Sequence, residues 1–122
     1  MTETYRPRRS VLYMPGANDK ALEKAKGLLP ASDCRFFQDI GEALKSVKAD
    51  AALVVSPSAT HADVSIRCLD AGLTVMVEKP LAVTVEEGRR VLERARAVGR
   101  QVIVAENYRF WPSERTIKRL LD

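Results

Sequence analysis

The 122-residue chain lacks the glycine-rich turn with which α/β folds usually hold the phosphates of a nucleotide. Its six glycines are so widely spread that no two of them form even a G-x-G. Histidine occurs once and cysteine twice, and their spacing does not match a zinc site. No apolar stretch approaches the ~20 residues of a membrane span, and the arginine-rich N-terminus has no apolar signal segment. We therefore expect no metal, no membrane partner, and a cytoplasmic protein with Cys34 and Cys68 reduced.

The composition is that of an ordinary globular domain, with 46% hydrophobic residues, 30% charged residues and a mild net charge of +4. Arginines recur along residues 89–100, and Glu86, Glu87 and Glu93 are interleaved with them. This pattern predicts a solvated helix face with ion pairs. Because no aromatic residues alternate with the basic ones, the sequence indicates no nucleic-acid partner.

Short apolar runs alternate with helix-start signals along the chain. The alternation predicts an α/β fold with a parallel sheet flanked by helices. The last three strands are continuously apolar, which predicts burial on both faces. The predicted strands cover residues 11–14, 34–37, 51–55, 73–77 and 102–105. The predicted helices begin after Asn18 or Asp19, at the capping residues Asp39, Thr60 and Thr84, and at Trp111-Pro112, and their inward residues include Leu92, Ile117, Leu120 and Leu121.

Lys79 follows the apolar run 73–77 within the sequence Glu78-Lys79-Pro80. The carboxyl edge of a parallel sheet, where this lysine would lie, is where open α/β folds bind ligands. A partly desolvated lysine there could take a proton from an alcohol or give one to a carbonyl oxygen. The alternative, which spacing alone favours, is a surface lysine that extends into solvent beside a turn proline.

His61, the single histidine, lies in the first turn of the helix after strand 51–55. A helix N-terminus attracts anions, so His61, Ser58 and Thr60 could face a phosphate or a nicotinamide amide. The alternative is a partly exposed residue of the capping turn.

Asn107, Tyr108 and Arg109 follow the last predicted strand and reach the same edge. Alone they are equally typical of a polar exit loop, with Phe110 and Trp111 as core or interface anchors. Polar groups at three strand ends are better evidence for a site than any one of these residues.

Three ordered segments carry a resemblance to a known family: ADAALVVSPSATH at 49–61, AGLTVMVEKPLA at 71–82 and NYRFWP at 107–112. Together they resemble the N-terminal half of the Gfo/Idh/MocA oxidoreductases, from about Asn18 to the C-terminus. The resemblance implies a Rossmann domain that binds NAD or NADP, and a sugar, cyclitol or nucleotide sugar as the substrate.

The resemblance also implies roles for individual residues. Lys79 would be the catalytic residue, contacting the reacting hydroxyl and assisting its proton transfer. Tyr108 and Arg109 would contact the substrate as well. The cofactor would lie along Ser56, Pro57, Ser58, His61, Glu78, Lys79, Asn107 and Arg109.

Several family features have no counterpart in the sequence: the first strand with its GxGxxG turn, the acid that would bind the adenosine ribose, and the second domain. We therefore expect a partial Rossmann-like doubly wound parallel sheet. Its regions would be a divergent arm and short strand at 1–17, the partial NAD(P)-binding domain at 18–111, and the start of a helix at 112–122 leading to an absent substrate domain. Strand 1 joins the two halves of the Rossmann order 3-2-1-4-5-6. Without it we expect either a marginal monomer with open edges or residues 11–14 in the place of strand 1.

Two other functions remain open. The chain could be a non-catalytic remnant or interaction module that self-associates or docks on a partner subunit through an open sheet edge and residues 115–122. A small receiver-like signalling domain is the weaker alternative, because it needs an acidic cluster where this chain has lysine, histidine and arginine.

Overall fold

The computed structural model describes residues 10–13, 35 and 37–122, the first four by their backbone only. The helix predicted after Asn18 lies outside these residues. Of the predicted strand 34–37, Arg35 and Phe37 are described, and neither is in a strand. No described helix is long and apolar enough to cross a membrane. The elements are β1 (Ser10–Tyr13), α1 (Ile40–Ser46), β2 (Ala51–Val54), α2 (His61–Asp70), β3 (Thr74–Glu78), α3 (Val85–Val98), β4 (Val102–Ala105) and α4 (Pro112–Leu121), with 3-10 turns at Ser58–Thr60 and Tyr108–Phe110.

Local capping signals set several helix ends. The hydroxyl of Thr84 accepts the backbone N–H of Glu87 at 3.2 Å, and the Glu87 carboxylate accepts the backbone N–H of Thr84 at 3.2 Å, which completes the predicted capping box of α3. Asp39 caps α1 by accepting the backbone N–H three residues later at 2.9 Å. Gly72 and Gly99 follow α2 and α3 with φ of 79° and 64°, a conformation that favours glycine.

The described sheet has four parallel strands in the order β1-β2-β3-β4. Leu12 is paired with Leu53, Leu53 with Met76, and Met76 with Ile103. The motifs at their ends identify β2, β3 and β4 with strands 4, 5 and 6 of the Rossmann order, so β1 lies where strand 1 would lie. For residues 11–13, which the structure describes, the second of the two expectations is therefore confirmed.

The core lies on one face of this sheet. Alternate side chains of a strand point to opposite faces, and the described helices α1, α2 and α3 pack on one of them. On the other face Leu53, Met76 and Ile103 are 38%, 42% and 46% exposed. The expectation of burial on both faces is wrong for the described residues. The core residues are Ile40, Ala52, Val54, Ala62, Val64, Cys68, Leu69, Leu73, Val75, Val77, Val91 and Ala95.

Four side chains that were predicted to point inward are exposed. Leu92 of α3 is 43% exposed, and Ile117, Leu120 and Leu121 of α4 are 50%, 81% and 82% exposed. The three residues of α4 are exposed because this helix packs chiefly against the 3-10 turn that precedes it, and none of its residues is buried. Its amphipathic pattern is genuine, but no described element covers its apolar face.

Ion pairs join α3 to α2. Arg94 pairs with Asp70, and Arg90 lies 3.7 Å from Asp63. The expected pairs with the interleaved glutamates of α3 are not formed among the described residues, because these arginines extend across the groove between the two helices. Exposed pairs of this kind contribute little stability.

Candidate active site

The polar residues at three strand ends share one edge of the sheet, as predicted. Val54 of β2 is in register with Val77 of β3, and Glu78 of β3 is in register with Ala105 of β4. Because the strands are parallel, the segments that follow them all emerge at the carboxyl edge. The chain therefore brings the loop after β2, the Lys79 turn and the turn after β4 to the edge where α/β folds bind ligands.

The loop between β2 and α2 is closed by its own hydrogen bonds. The Thr60 hydroxyl lies 2.7 Å from the Ser56 hydroxyl and 2.7 Å from the Pro57 carbonyl oxygen. Ser56 is buried, whereas Ser58 is exposed. Thr60, which was predicted to cap α2, makes no side-chain cap, because its hydroxyl bonds back into the loop.

The amino end of α2 consequently carries no side-chain cap. The N–H of His61 is bonded to the Ser58 carbonyl oxygen of the preceding 3-10 turn, and the helix dipole adds positive potential at this end. This end of α2 lies at the carboxyl edge beside Ser58, where it can accept an anionic group such as a phosphate.

His61 lies inside the protein and does not face a ligand. Its side chain is 1% exposed. Nδ1 lies 2.6 Å from the Pro80 carbonyl oxygen, and Nε2 lies 2.8 Å from the Ser56 carbonyl oxygen. Both readings offered by the sequence, a ligand-facing ring and a partly exposed one, are wrong, because backbone carbonyls engage both nitrogens.

The Glu78-Lys79-Pro80 turn presents an exposed ammonium. The Glu78 carboxylate accepts the Lys79 backbone N–H at 2.6 Å, and the Lys79–Pro80 peptide bond is cis. The side chain of Lys79 is exposed at the carboxyl edge. Its backbone is thus held, and its ammonium has no ion-pair partner among the described residues.

The turn after β4 is separate from this network. The Glu106 carboxylate accepts the Tyr108 backbone N–H at 3.1 Å, and the rings of Tyr108 and Trp111 meet edge to face at 4.6 Å. Asn107 and Arg109 are exposed, and within residues 37–122 no side-chain hydrogen bond or ion pair ties them to β2 or β3. Trp111 is 48% exposed, so it is not a core anchor in the described structure.

Sequence reasoning missed two contacts. The Pro80 carbonyl is a partner of His61 across 19 residues, and the Thr60 hydroxyl stiffens the Ser56 loop. The first contact is non-local, so a single sequence carries no signal for it. The second follows a short serine–threonine spacing that is also compatible with capping.

Comparison with known proteins identifies the class to which this fold and edge belong. The profile of the Gfo/Idh/MocA family, described as "Oxidoreductase family, NAD-binding Rossmann fold", matches residues 5–106. The chain belongs to this family. The match begins upstream of Asn18, where the resemblance was expected to start, and so includes β1.

The relatives include inositol dehydrogenases. Over 88 residues the chain is 32% identical to scyllo-inositol 2-dehydrogenase (NAD(+)) of Bacillus subtilis, covering 72% of this chain and 26% of that protein. Over 93 residues it is 37% identical to inositol 2-dehydrogenase 2 of Saccharopolyspora erythraea, covering 75% of this chain and 27% of that protein. The chain thus spans about a quarter of the length of these curated relatives.

A solved structure shows the same fold. The WlbA dehydrogenase of Bordetella pertussis, in complex with NADH and UDP-GlcNAcA, superposes with a TM-score of 0.77 at 28% identity. The likeness covers 85% of this chain and 31% of that one.

Proposed function

We propose that this chain forms the cofactor-binding part of an NAD(P)-dependent oxidoreductase that acts on a hydroxyl or carbonyl group of a sugar, cyclitol or nucleotide sugar. Membership of an NAD-binding family supports the cofactor. The substrate class is supported by the relatives, which are inositol dehydrogenases and an enzyme solved with UDP-GlcNAcA.

The observation that carries the proposal is the exposed Lys79 at the carboxyl edge, beside the uncapped amino end of α2. The polar groups present fit a dinucleotide: the α2 end and Ser58 suit the negative pyrophosphate, and the second oxygen of Glu78 can accept from the nicotinamide amide. His61 and Ser56 shape the loop from behind, and Pro57 forms its surface.

Lys79 performs the proton transfer in this proposal. Bound NAD(P) supplies hydride transfer. Lys79 takes the proton from the substrate hydroxyl as the carbonyl forms and returns it to the carbonyl oxygen in the reverse direction. Asn107 and Arg109 flank the cofactor, and Tyr108 and Arg109 contact the substrate. β1 and residues 18–111 form the cofactor domain, and α4 leads to the substrate domain.

The test is a titration with NADH and NADPH, followed by energy transfer from Trp111, the single tryptophan. We expect saturable binding in the micromolar range, weakened in Lys79→Ala. Lys45→Ala is the matched control, because Lys45 is an exposed lysine of α1 away from this edge. No saturation up to millimolar dinucleotide would contradict the proposal.

The alternative, an interaction module, is favoured by a different observation. Leu53, Met76 and Ile103 form an exposed apolar row across neighbouring strands, and α4 adds the exposed Leu120 and Leu121. Exposed apolar patches mark interaction sites. Self-association in sedimentation that Met76→Lys abolishes, in a chain that binds no dinucleotide, would favour this module over the enzyme.

A further inference from the structure

We propose that His61 is a positioning residue that fastens the Lys79 turn to the loop between β2 and α2. The inference rests on the proposed function, because it assigns His61 to the placement of the proposed catalytic lysine. It replaces the role of direct cofactor contact that the sequence resemblance implied for this residue.

The ring joins two segments that are distant in the sequence. Nδ1 contacts the carbonyl of Pro80, 19 residues away, and Nε2 contacts the carbonyl of Ser56, five residues away. Both contacts are short, at 2.6 and 2.8 Å. Either ring nitrogen donates in one of the neutral tautomers, and both donate in the imidazolium. The ring joins the two segments by hydrogen bonds at both ends when both nitrogens donate; in a neutral tautomer it binds one carbonyl and packs against the other segment.

Burial makes the connection specific. With 1% of its surface exposed, the ring is shielded from water, so a ring nitrogen released from its carbonyl has no solvent replacement at that position. A buried polar group that loses its partner carries the full cost of desolvation. The arrangement with Pro80 and Ser56 against the ring is therefore favoured over one in which the Lys79 turn moves away.

Each side of the connection is internally stiff. On one side the Thr60 hydroxyl closes the loop onto Ser56. On the other side the backbone of Lys79 is held by Glu78 at its N–H, and the next carbonyl, that of Pro80, is held by His61. The side chain of Lys79 is exposed, whereas the backbone that carries it is held on both sides. The attachment point of the ammonium-bearing side chain is therefore fixed relative to the amino end of α2. Fixing a reacting group relative to its ligand is a source of catalytic rate.

Native-state hydrogen exchange tests the connection without requiring a bound cofactor. The measured quantity is a ratio of exchange rates: the rate of the Lys79 and Leu81 amides divided by the rate of the Val75 amide. The Val75 amide lies within β3 and donates to the Gln101 carbonyl, so it reports on the sheet. In His61→Leu, which keeps bulk but no donor, we expect this ratio to rise roughly tenfold, the effect on an equilibrium of one lost buried hydrogen bond. His61→Asn keeps an amide donor and should restore part of the ratio.

A core variant separates positioning from stability. Val91→Ala truncates a fully buried side chain of α3, an element that carries neither carbonyl, so it should speed global exchange and leave the ratio unchanged. An unchanged ratio in His61→Leu, with stability lowered as in Val91→Ala, would overturn the proposal and make His61 an ordinary core residue.

Dinucleotide binding supplies the second readout. We expect the Kd for NADH to rise about tenfold in His61→Leu and to stay near the native value in Val91→Ala. An equal rise in both variants would also overturn the positioning role. If the native chain binds no NADH, the proposed function fails, and the exchange ratio alone decides whether His61 fastens the turn.

Discussion

Replacing Ser65 by alanine should stabilise the protein. Ser65 lies in the middle of α2 with 0% of its surface exposed, and its hydroxyl has no hydrogen-bond partner among the described residues. A buried hydroxyl that loses its bonds to water without gaining others opposes folding. Removing it by the smallest possible change therefore removes a cost of the folded state.

The expected magnitude follows from three contributions. An unsatisfied buried hydroxyl costs about 1–3 kcal/mol. Alanine also exceeds serine in helix propensity, by roughly 0.5 kcal/mol in a helix interior. The void left by one oxygen atom offsets part of this, at less than about 1 kcal/mol. The free energy of unfolding should rise by about 1–2 kcal/mol, which for a chain of this size raises Tm by roughly 4–8 °C.

Urea unfolding followed by circular dichroism measures this change. Trp111 is a poor probe of the core, because it lies in the turn before α4 and is half exposed. Ser113→Ala, at an exposed position of α4, is the matched control and should change stability by less than about 0.5 kcal/mol. Ala62→Ser places a hydroxyl at another buried position of α2 and should destabilise the protein.

A loss of stability in Ser65→Ala of more than about 1 kcal/mol would refute the reasoning. It would show that the hydroxyl makes a stabilising hydrogen bond, and the packing around α2 would have to be revised.

Three further predictions concern helix ends and the buried thiol. Thr84→Ala removes one arm of the capping box and should cost about 1 kcal/mol in urea unfolding; no change would mean that α3 does not depend on its cap. Gly99 follows α3 with φ of 64°, so Gly99→Ala should destabilise the protein by about 1 kcal/mol. Gly88→Ala, in the interior of α3, should stabilise the protein by a similar amount, and a change of the same sign in both variants would contradict this account. Burial raises the pKa of the Cys68 thiol from 9.0 to about 11, against the opposing effect of Arg67. Between pH 9 and about pH 11 the thiol is protonated in the folded state and deprotonated in the unfolded chain. The contribution of this thiol to the free energy of unfolding is therefore complete below pH 9 and falls by about 1.4 kcal/mol per pH unit up to about pH 11. Unfolding at several pH values should show this slope in a Cys34→Ser background and lose it when Cys68→Ala is added; an identical slope in both would refute the assignment.

The parts of the fold that sequence predicted well rest on local chemistry. Asp39, Thr84, Gly72 and Gly99 mark helix ends correctly, because capping depends on residues within one turn. The parallel order of the last three strands follows from the alternation of strands and helices.

The errors concern which surfaces meet. Leu92, Leu120 and Leu121 have the apolar spacing of inward-facing residues, yet they are exposed. Periodicity shows that a helix has an apolar face, but it does not show whether another element covers that face. The same limit applies to Met76, whose burial depends on what lies opposite the sheet and not on its own strand.

In the candidate site, too, the position of a residue at a strand end was predicted correctly, whereas the non-local contacts were not. Lys79 was predicted at the strand end because strand and turn signals are local, and it lies at the carboxyl edge. The environment of His61 was not predicted, because it is set by the Pro80 carbonyl across 19 residues. The sequence therefore identifies which groups reach the edge, whereas the structure distinguishes those that face outward from those that hold the loops together.

The most direct test of the central claim is a two-dimensional amide NMR titration of the ¹⁵N-labelled chain with NADH. The account predicts saturable shifts confined to the amides of Ser58, His61, Lys79 and their neighbours at the carboxyl edge, with weaker binding in Lys79→Ala and unchanged binding in Lys45→Ala. Absence of shifts up to millimolar NADH, or shifts confined to α4 and the exposed row of Leu53, Met76 and Ile103, would contradict the claim that this edge binds a dinucleotide.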